Sequence, residues 1–348
     1  MKIAFFDLEP WEINYFQKYF KKDVNFGTKS LTKNNTKNFK ETEIISIFVK
    51  SKITKEILNQ LPNLKFISTM STGFDHIDLQ ECKKRNIQVS NVPQYGQNTI
   101  AEYTFSLLLA LNRNLLEASR RTRKGNFDYQ GLIGTDLKNK TIGIIGTGNI
   151  GQHVIKYAKA FDMKILAYDL YPNKKLEKEL NFKYVNLNEL YGNSDFISLH
   201  LPFTKSSYHF LDKKAFSQMK EGVKIINTSR GEIISAKDLI QALDTKKVSG
   251  CALDVLELEN DMKRCSKNSF FGTNETKFLM EVKNSGLKNL TQKEAKILIQ
   301  NHKLLGRENI ILTPHLAFYT KEALERILQT TKDNILAFQK NKLQNLVN

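Results

Sequence analysis

Three glycines, Gly146, Gly148 and Gly151, follow the apolar run Thr141 to Ile145 and open an amphipathic stretch. The first glycine permits a tight turn, the second lets a phosphate approach the backbone, and the third lets a helix pack closely on the preceding strand. The N-terminus of such a helix also attracts negative charge. The pattern therefore predicts a strand, a turn and a helix that bind the pyrophosphate of a dinucleotide.

Two neighbouring features refine this prediction. The stretch Gly143 to Gly148 also has P-loop spacing, but Asn149 stands where that motif needs lysine, which argues against a nucleotide triphosphatase. Asp169 ends the next apolar run, beyond Gly151. A carboxylate at that point accepts hydrogen bonds from ribose hydroxyls and repels a 2′-phosphate. NAD is therefore expected rather than NADP.

Short apolar runs alternate with helix-like stretches along most of the chain. We expect a first series of strands at 2–6, 44–49, 65–69 and 87–89, and a second at 141–145, 164–168, 196–199, 223–227, 250–253 and 309–312. Such alternation is typical of βαβ units with right-handed crossovers. The predicted fold class is α/β, with two doubly wound parallel-sheet domains.

Three longer stretches stand outside this rhythm. One helix is predicted from Asn98 to the basic cluster that ends at Lys124, and a closing helix from Lys321 to Phe338. The polar segment Asn260 to Arg307 is longer than a usual crossover. We expect it to form an elaborated surface loop with two helices.

The chain is strongly basic, since 53 Lys and Arg minus 36 Asp and Glu give a formal charge of +17. Such an excess can indicate nucleic-acid or membrane binding. Here the lysines are scattered and mixed with Asn and Glu, as in Lys174 to Asn181. The charge is therefore interpreted as compositional bias, and neither a nucleic-acid nor a membrane partner is expected.

The three cysteines, Cys82, Cys251 and Cys265, form no CxxC pair. They favour a reducing compartment and argue against a zinc site, so no metal is expected. The longest apolar stretch, near Thr104 to Leu111, is too short to span a bilayer. A soluble cytoplasmic protein is expected.

Polar motifs follow several of the predicted strands. They are His200-Leu201-Pro202, Asn227 to Gly231, and Ala252 to Val255. Ligands of open α/β sheets bind at the carboxyl ends of strands. Arg230 lies in the second motif, where its planar guanidinium can hold a carboxylate.

His315 stands just past the last predicted strand, in Thr313-Pro314-His315. A histidine there can exchange a proton near neutral pH, and a neighbouring carboxylate favours its charged form. Glu259 is the candidate carboxylate, although Glu257 is close enough in sequence to leave the spacing ambiguous.

With these residues in place, the sequence resembles the D-isomer-specific 2-hydroxyacid dehydrogenases over nearly its whole length, and the NAD-dependent D-lactate branch is nearest. Besides the motifs above, the matching stretches are Ser71 to Asp78, Asn91-Val92-Pro93 with Tyr95, Ile100-Ala101-Glu102 and Ala317-Phe318-Tyr319. By motif position, the family's catalytic arginine, glutamate and histidine correspond to Arg230, Glu259 and His315.

The resemblance also implies binding residues. Cofactor contacts are expected at Gly146, Gly148, Asn149, Ile150, Gly151, Asp169, Leu201, Pro202, Ser207, Thr228, Ser229, Arg230 and Asp254. Substrate contacts are expected at the Thr72-Gly73 backbone, Tyr95 and Arg230.

The resemblance further implies a Rossmann NAD-binding domain inserted in a flavodoxin-like substrate domain. The substrate domain is predicted at 1–98 and 316–348, and the cofactor domain at 99–315, with hinges near Asn98 and His315. The helix from Thr99 onward resembles the family's dimer-forming element, so a homodimer is expected.

The implied activity is reversible hydride transfer between NADH and a small 2-oxo acid, with pyruvate and D-lactate preferred. The alternatives are a D-3-phosphoglycerate dehydrogenase, with Lys50 and Lys52 as candidate phosphate ligands, and a hydroxypyruvate or glyoxylate reductase. An alternative of another class is a dinucleotide-sensing corepressor or scaffold.

Overall fold

A computed structural model describes residues 1–265, 278 and 290–348, without the side chains of residues 263–265. The described strands are β1 (Ile3–Phe5), β2 (Val24–Phe26), β3 (Ile44–Ile47), β4 (Phe66–Thr69), β5 (Gln88–Ser90), β6 (Thr141–Ile145), β7 (Lys164–Tyr168), β8 (Lys183–Tyr184), β9 (Phe196–Leu199), β10 (Val223–Asn227), β11 (Val248–Leu253) and β12 (Ile310–Leu312). The described α-helices are α1 (Pro10–Gln17), α2 (Lys55–Leu58), α3 (Leu79–Lys84), α4 (Gln97–Asn112), α5 (Leu115–Arg123), α6 (Asn149–Ala160), α7 (Lys174–Leu180), α8 (Leu187–Asn193), α9 (Lys213–Gln218), α10 (Ala236–Asp244), α11 (Glu259–Cys265), α12 (Gln292–Leu305) and α13 (Lys321–Gln339).

The chain divides into two compact units. The first contains Met1–Gly96 and Tyr319–Asn348, and the second contains Gln97–Phe318. Each unit is built on one parallel sheet with helices, and the second unit is inserted in the first. The predicted α/β class with two doubly wound sheets is therefore confirmed.

The sheet of the first unit has the strand order β2-β1-β3-β4-β5, and every neighbouring pair is parallel. Strands β1, β3 and β4 are buried at every position, as expected for a parallel sheet covered on both faces. One face packs on Ile57, Leu58 and Leu61, while Phe16 of α1 packs against Phe5 with ring centroids 4.5 Å apart.

The C-terminal segment completes the first unit. Phe338, at the end of α13, stacks on Phe66 of β4 with ring centroids 4.4 Å apart. The last residues then cover the edge strand β5, because Val347 N donates to Val89 O and the Asn348 side chain accepts from Val89 N. An edge strand that would otherwise expose unpaired amides is thus closed.

The sheet of the second unit has the strand order β12-β11-β10-β9-β6-β7-β8, again with parallel pairs. The chain moves outward in one direction from β6 to β8 and in the other from β9 to β12. The strand order therefore reverses between β6 and β9, and ligands of such sheets bind outside the carboxyl ends at this point.

The single helix predicted from Asn98 to Lys124 is wrong. Helix α4 ends at Asn112 and α5 begins at Leu115. Asn114 adopts a left-handed conformation with φ 50°, which interrupts the helical path. Asparagine tolerates this conformation better than most residues, so the break has a local cause in the sequence.

The segment 260–307 is only partly described, and residues 266–277 and 279–289 lie outside the described residues. Helix α12, at the end of this segment, is not a surface loop element, because Leu298 and Leu304 are buried and Leu304 joins the core beneath α10. The side chain of Cys265 lies outside the described residues, whereas Cys82 and Cys251 are buried free thiols. Within the described parts of the chain, none of the helices combines the length and the apolar character needed to cross a membrane.

Candidate active site

The glycine turn joins β6 to α6 at the point where the strand order of the second sheet reverses. Gly146 has φ 95°, and a Cβ atom there would lie 2.5 Å from the backbone oxygen of His200. A Cβ atom on Gly151 would overlap the backbone oxygen of Gly146. These two glycines are therefore required by the packing of the turn itself.

Gly148 differs from the other two glycines, because a Cβ atom there would meet no described atom within 4 Å. It is the N-cap residue of α6, and its helix has no side-chain cap. The backbone N–H groups of the first turn of a helix have no partner inside that helix. Open space in front of uncapped amides is the arrangement that receives a phosphate group.

Asp169 lies directly beyond β7 and faces the same turn. Its Oδ2 accepts hydrogen bonds from Thr147 N at 2.7 Å and from Thr147 Oγ1 at 2.9 Å, while Oδ1 accepts from Tyr171 N at 3.0 Å. The carboxylate is thus held beside the glycine turn, with a lone pair remaining on Oδ1. This placement suits a contact with ribose hydroxyls.

The other predicted cofactor residues occupy loops at the same edge of this sheet. Asn149 and Ile150 begin α6. Leu201 and Pro202 follow β9, and Ser207 closes the turn after them by donating to Pro202 O at 2.8 Å. Thr228 and Ser229 follow β10. Thr228 is buried and its hydroxyl lies 2.9 Å from that of Thr104 on α4. The second sheet therefore gathers these predicted residues at one edge.

His315 and Glu259 form a direct pair. His315 Nδ1 lies 2.6 Å from Glu259 Oε1, and the two side chains are 32% and 23% exposed. An ionised carboxylate only accepts hydrogen bonds, so Nδ1–H donates and Nε2 is the nitrogen that remains for a substrate. The pair can therefore hold a proton at Nε2 and release it to a bound molecule.

Asp254 holds the loop that carries His315. Its fully buried carboxylate accepts hydrogen bonds from Thr313 Oγ1 at 2.6 Å, Leu316 N at 3.0 Å and Ala317 N at 2.9 Å. His315 itself adopts φ 58°, a conformation that costs energy for a residue with a side chain. Because three donors converge on one buried charge, the loop keeps this conformation.

Arg230 lies at the start of the short 3-10 helix Gly231–Ile233. Its Nη1 donates to Ser229 O at 2.8 Å, and its backbone oxygen accepts from the Asn227 side chain at 2.8 Å. Burial raises the pKa of the adjacent Glu232 carboxyl. The negative charges of Glu257 and Glu259 also raise this pKa, whereas the positive charge of Arg230 lowers it. Arg230 thus shares one electrostatic environment with Glu259.

The structure separates the two glutamates that sequence spacing could not distinguish. Glu259 contacts His315, whereas the buried Glu257 accepts hydrogen bonds from Tyr208 Oη at 3.1 Å and His209 Nε2 at 2.9 Å. This second glutamate–histidine pair was not predicted, because no motif links residues 208–209 to residue 257.

His200, the other histidine at this edge of the sheet, is a poor proton donor. Burial lowers its pKa to about 3, and its Nε2 lies 2.8 Å from Ser198 Oγ. The ring is therefore neutral at physiological pH and serves the packing of β9.

Apart from Arg230, the predicted substrate residues lie in the first unit. Thr72 and Gly73 follow β4, and Tyr95 lies beyond β5 with its backbone oxygen accepting from Arg326 Nε of α13 at 2.6 Å. Thr72 Oγ1 donates to Val92 O at 2.7 Å, and Thr72 O accepts from Asn91 Nδ2 at 2.8 Å. The Thr72-Gly73 backbone is thus fixed from both sides.

Comparison with known proteins agrees with this arrangement. Residues 105–317 match the family described as D-isomer specific 2-hydroxyacid dehydrogenase, NAD binding domain. The chain belongs to the D-isomer specific 2-hydroxyacid dehydrogenases. As a member of this family it is an NAD-dependent oxidoreductase that acts on the CH–OH group of 2-hydroxy acids.

Three relatives show how far the similarity extends. A D-lactate dehydrogenase of Escherichia coli is 34% identical over 98% of each chain, and an aromatic 2-oxoacid reductase of Clostridium sporogenes is 33% identical over 97% of this chain and 96% of its own. The crystal structure of a D-lactate dehydrogenase from Aquifex aeolicus, complexed with NAD and lactic acid, has a TM-score of 0.83 and 36% identity, covering 99% of each chain.

The residues of this dehydrogenase fit NAD. The open space at Gly148 and the uncapped start of α6 suit the pyrophosphate, and Asp169 suits an unphosphorylated ribose. Both features belong to the chain itself and lie at the carboxyl edge of the second sheet.

The three glycines allow a matched test of this fit. Gly148→Ala should leave the free energy of unfolding within about 0.5 kcal/mol of the parent value, since the new methyl meets open space, yet raise the Kd for NADH about tenfold or more. Gly151→Ala should instead lower the free energy of unfolding by about 1–3 kcal/mol, because its methyl overlaps backbone.

Urea unfolding and titration of NADH fluorescence measure the two quantities. An unchanged NADH Kd in a folded Gly148→Ala variant would contradict the placement of the pyrophosphate at this turn.

Proposed function

We propose that this dehydrogenase reduces a small, unphosphorylated 2-oxo acid, with pyruvate preferred, to the (R)-2-hydroxy acid, and that the reaction is reversible. The observation that carries the proposal is the His315–Glu259 pair, held at 2.6 Å in the same electrostatic environment as Arg230. The relatives named as D-lactate dehydrogenases support the choice of pyruvate.

His315 is the proposed acid. Bound NADH supplies the hydride for C2 of the substrate. His315 Nε2–H then donates a proton to the oxygen that becomes the hydroxyl, while Glu259 accepts from Nδ1–H and stabilises the imidazolium. In the reverse direction the neutral ring accepts the proton.

Arg230 is proposed to bind the substrate carboxylate and polarise the 2-oxo group, because a guanidinium offers several donors in one plane. From the first unit, the Thr72-Gly73 backbone and Tyr95 are proposed to contribute further contacts with the carboxylate. The first unit is accordingly proposed to be the substrate domain and the second the cofactor domain.

The cofactor contacts are proposed to be the residues that the second sheet gathers at its carboxyl edge: Gly146, Gly148, Asn149, Ile150, Gly151, Asp169, Leu201, Pro202, Ser207, Thr228, Ser229, Arg230 and Asp254. Asp254 is proposed to act mainly by holding the His315 loop. A cytoplasmic location belongs to the same proposal, supported by the buried free thiols of Cys82 and Cys251.

Replacement of the proposed acid tests the mechanism. His315→Ala should lower kcat by about 10² to 10⁴, the usual contribution of a positioned acid, with NADH affinity retained. Glu259→Gln should lower kcat by a smaller factor, since the amide oxygen can still accept from Nδ1–H but carries no full negative charge.

Glu257→Gln is the matched control, since it makes the same change in the same turn but in a side chain that contacts His209 instead. Steady-state kinetics across pH provides the measurement. If His315→Ala kept the parent turnover, His315 would not be the acid.

The substrate preference is tested with a panel of 2-oxo acids. With NADH, kcat/KM should be highest for pyruvate and lower for phenylpyruvate, glyoxylate, hydroxypyruvate and phosphohydroxypyruvate. NADPH should be a poor cofactor, because the charge of Asp169 opposes a 2′-phosphate. A preference for the phosphorylated acid would overturn the proposed substrate, and one for phenylpyruvate would move it to the aromatic acids.

A homodimer is proposed from an exposed apolar patch on and after α5. Its members are Leu115, Leu116, Phe127, Tyr129 and Ile133, which are 55–91% exposed. Several large apolar side chains exposed along one segment are typical of an association site. The double variant Phe127→Glu, Ile133→Glu should reduce the mass measured by light scattering from twice 40.1 kDa to 40.1 kDa. A parent protein that already runs as a monomer would contradict the proposal.

A further inference from the structure

A chain of hydrogen bonds in the first unit ends at the loop after β4. His76 Nε2 lies 3.1 Å from Thr69 Oγ1, Thr69 Oγ1 lies 2.8 Å from Ser71 Oγ, and Ser71 Oγ lies 2.6 Å from Gly73 O. We call these four residues the His76 relay. Thr69 and Ser71 are buried, so the middle of the relay is shielded from water.

The direction of the relay follows from proton counting. Gly73 O only accepts, so the single proton of Ser71 is donated to it. Ser71 Oγ must then accept from Thr69, whose own single proton is thereby used. Thr69 Oγ1 must in turn accept from His76, so His76 carries a proton on Nε2.

The neighbouring peptide groups are fixed in a related way. Thr72 O accepts from Asn91 Nδ2 at 2.8 Å, and Gly73 O accepts from Ser71. In a planar trans peptide the N–H points opposite to the C=O. The N–H groups of Gly73 and Phe74 are therefore directed away from these two partners, and among the described residues neither donates a hydrogen bond.

We propose that the His76 relay orients the amides of Gly73 and Phe74 to receive the carboxylate of the 2-oxo acid, with His76 and Thr69 as positioning residues. This inference rests on the proposed function, in which the Thr72-Gly73 backbone contacts that carboxylate. The relay sets the direction of two donors that the substrate meets, and it touches neither the substrate nor the cofactor itself.

The test breaks the relay at two points. Thr69→Val keeps the shape but removes the hydroxyl, and His76→Leu removes the first donor. Each should raise the KM for pyruvate about tenfold with little change in kcat or in the KM for NADH, because the lost interaction serves substrate binding. Since both act on one relay, the double variant should be only slightly worse than either single variant.

Conservative variants and a matched control distinguish an effect on the position of the amides from an effect on the stability of the fold. Thr69→Ser and His76→Gln retain a hydroxyl and an N–H donor, and they should restore much of the affinity for pyruvate. The control is Thr331→Val in α13, since Thr331 is also fully buried but its hydroxyl has no partner among the described residues. This control should leave the KM unchanged.

The possible failures are distinguishable. An active parent enzyme whose KM for pyruvate is the same in Thr69→Val, His76→Leu and Thr331→Val would overturn the relay alone. A parent enzyme that oxidises NADH with none of the 2-oxo acids would overturn the proposed function and the relay together. His76 is only half-buried, so His76→Leu provides the decisive measurement if Thr69→Val does not fold.

Discussion

The site in the second unit depends on the buried carboxylate of Asp254. An isolated charge in a protein interior is very costly, so this group must be satisfied by donors that the chain supplies. Those donors are Thr313 Oγ1 and the amides of Leu316 and Ala317, which surround His315 on both sides. The left-handed backbone of His315 is therefore maintained by an interaction that does not involve the imidazole, and the ring is left to pair with Glu259.

Close backbone contact fixes the other half of the site. A Cβ atom on Gly231 would overlap the peptide that joins Leu256 to Glu257. The turn after β10, which carries Arg230, therefore lies directly against the turn after β11, which carries Glu259. Because neither turn can shift without the other, the positions of the guanidinium and the carboxylate are coupled through the main chain.

What could be predicted from sequence was local. Strands β6, β7, β9 and β10 have the predicted bounds, because each is a mainly apolar run next to turn residues. The edge strands β2 and β8 have no buried residue, so no apolar run marks them in the sequence. Glu257 and Glu259 lie two positions apart, so only the three-dimensional structure shows that Glu259 is the one in contact with His315. The resemblance supplied the roles of the site residues, but no motif indicates that His76 reaches Thr69 and Ser71.

Three histidines show how the fold assigns different chemistry to one side chain. His200 is half-buried beside a hydroxyl, and its loss of hydration lowers its pKa to about 3, so the ring stays neutral. His76 is half-buried, and its tautomer is set by the direction of a hydrogen-bond chain that ends at a carbonyl. His315 keeps about a third of its side chain exposed and pairs with a carboxylate, so Nδ1–H is held by the carboxylate while Nε2 stays accessible. Burial and the nature of the partner thus decide which ring can exchange a proton, whatever the residue type predicts by itself.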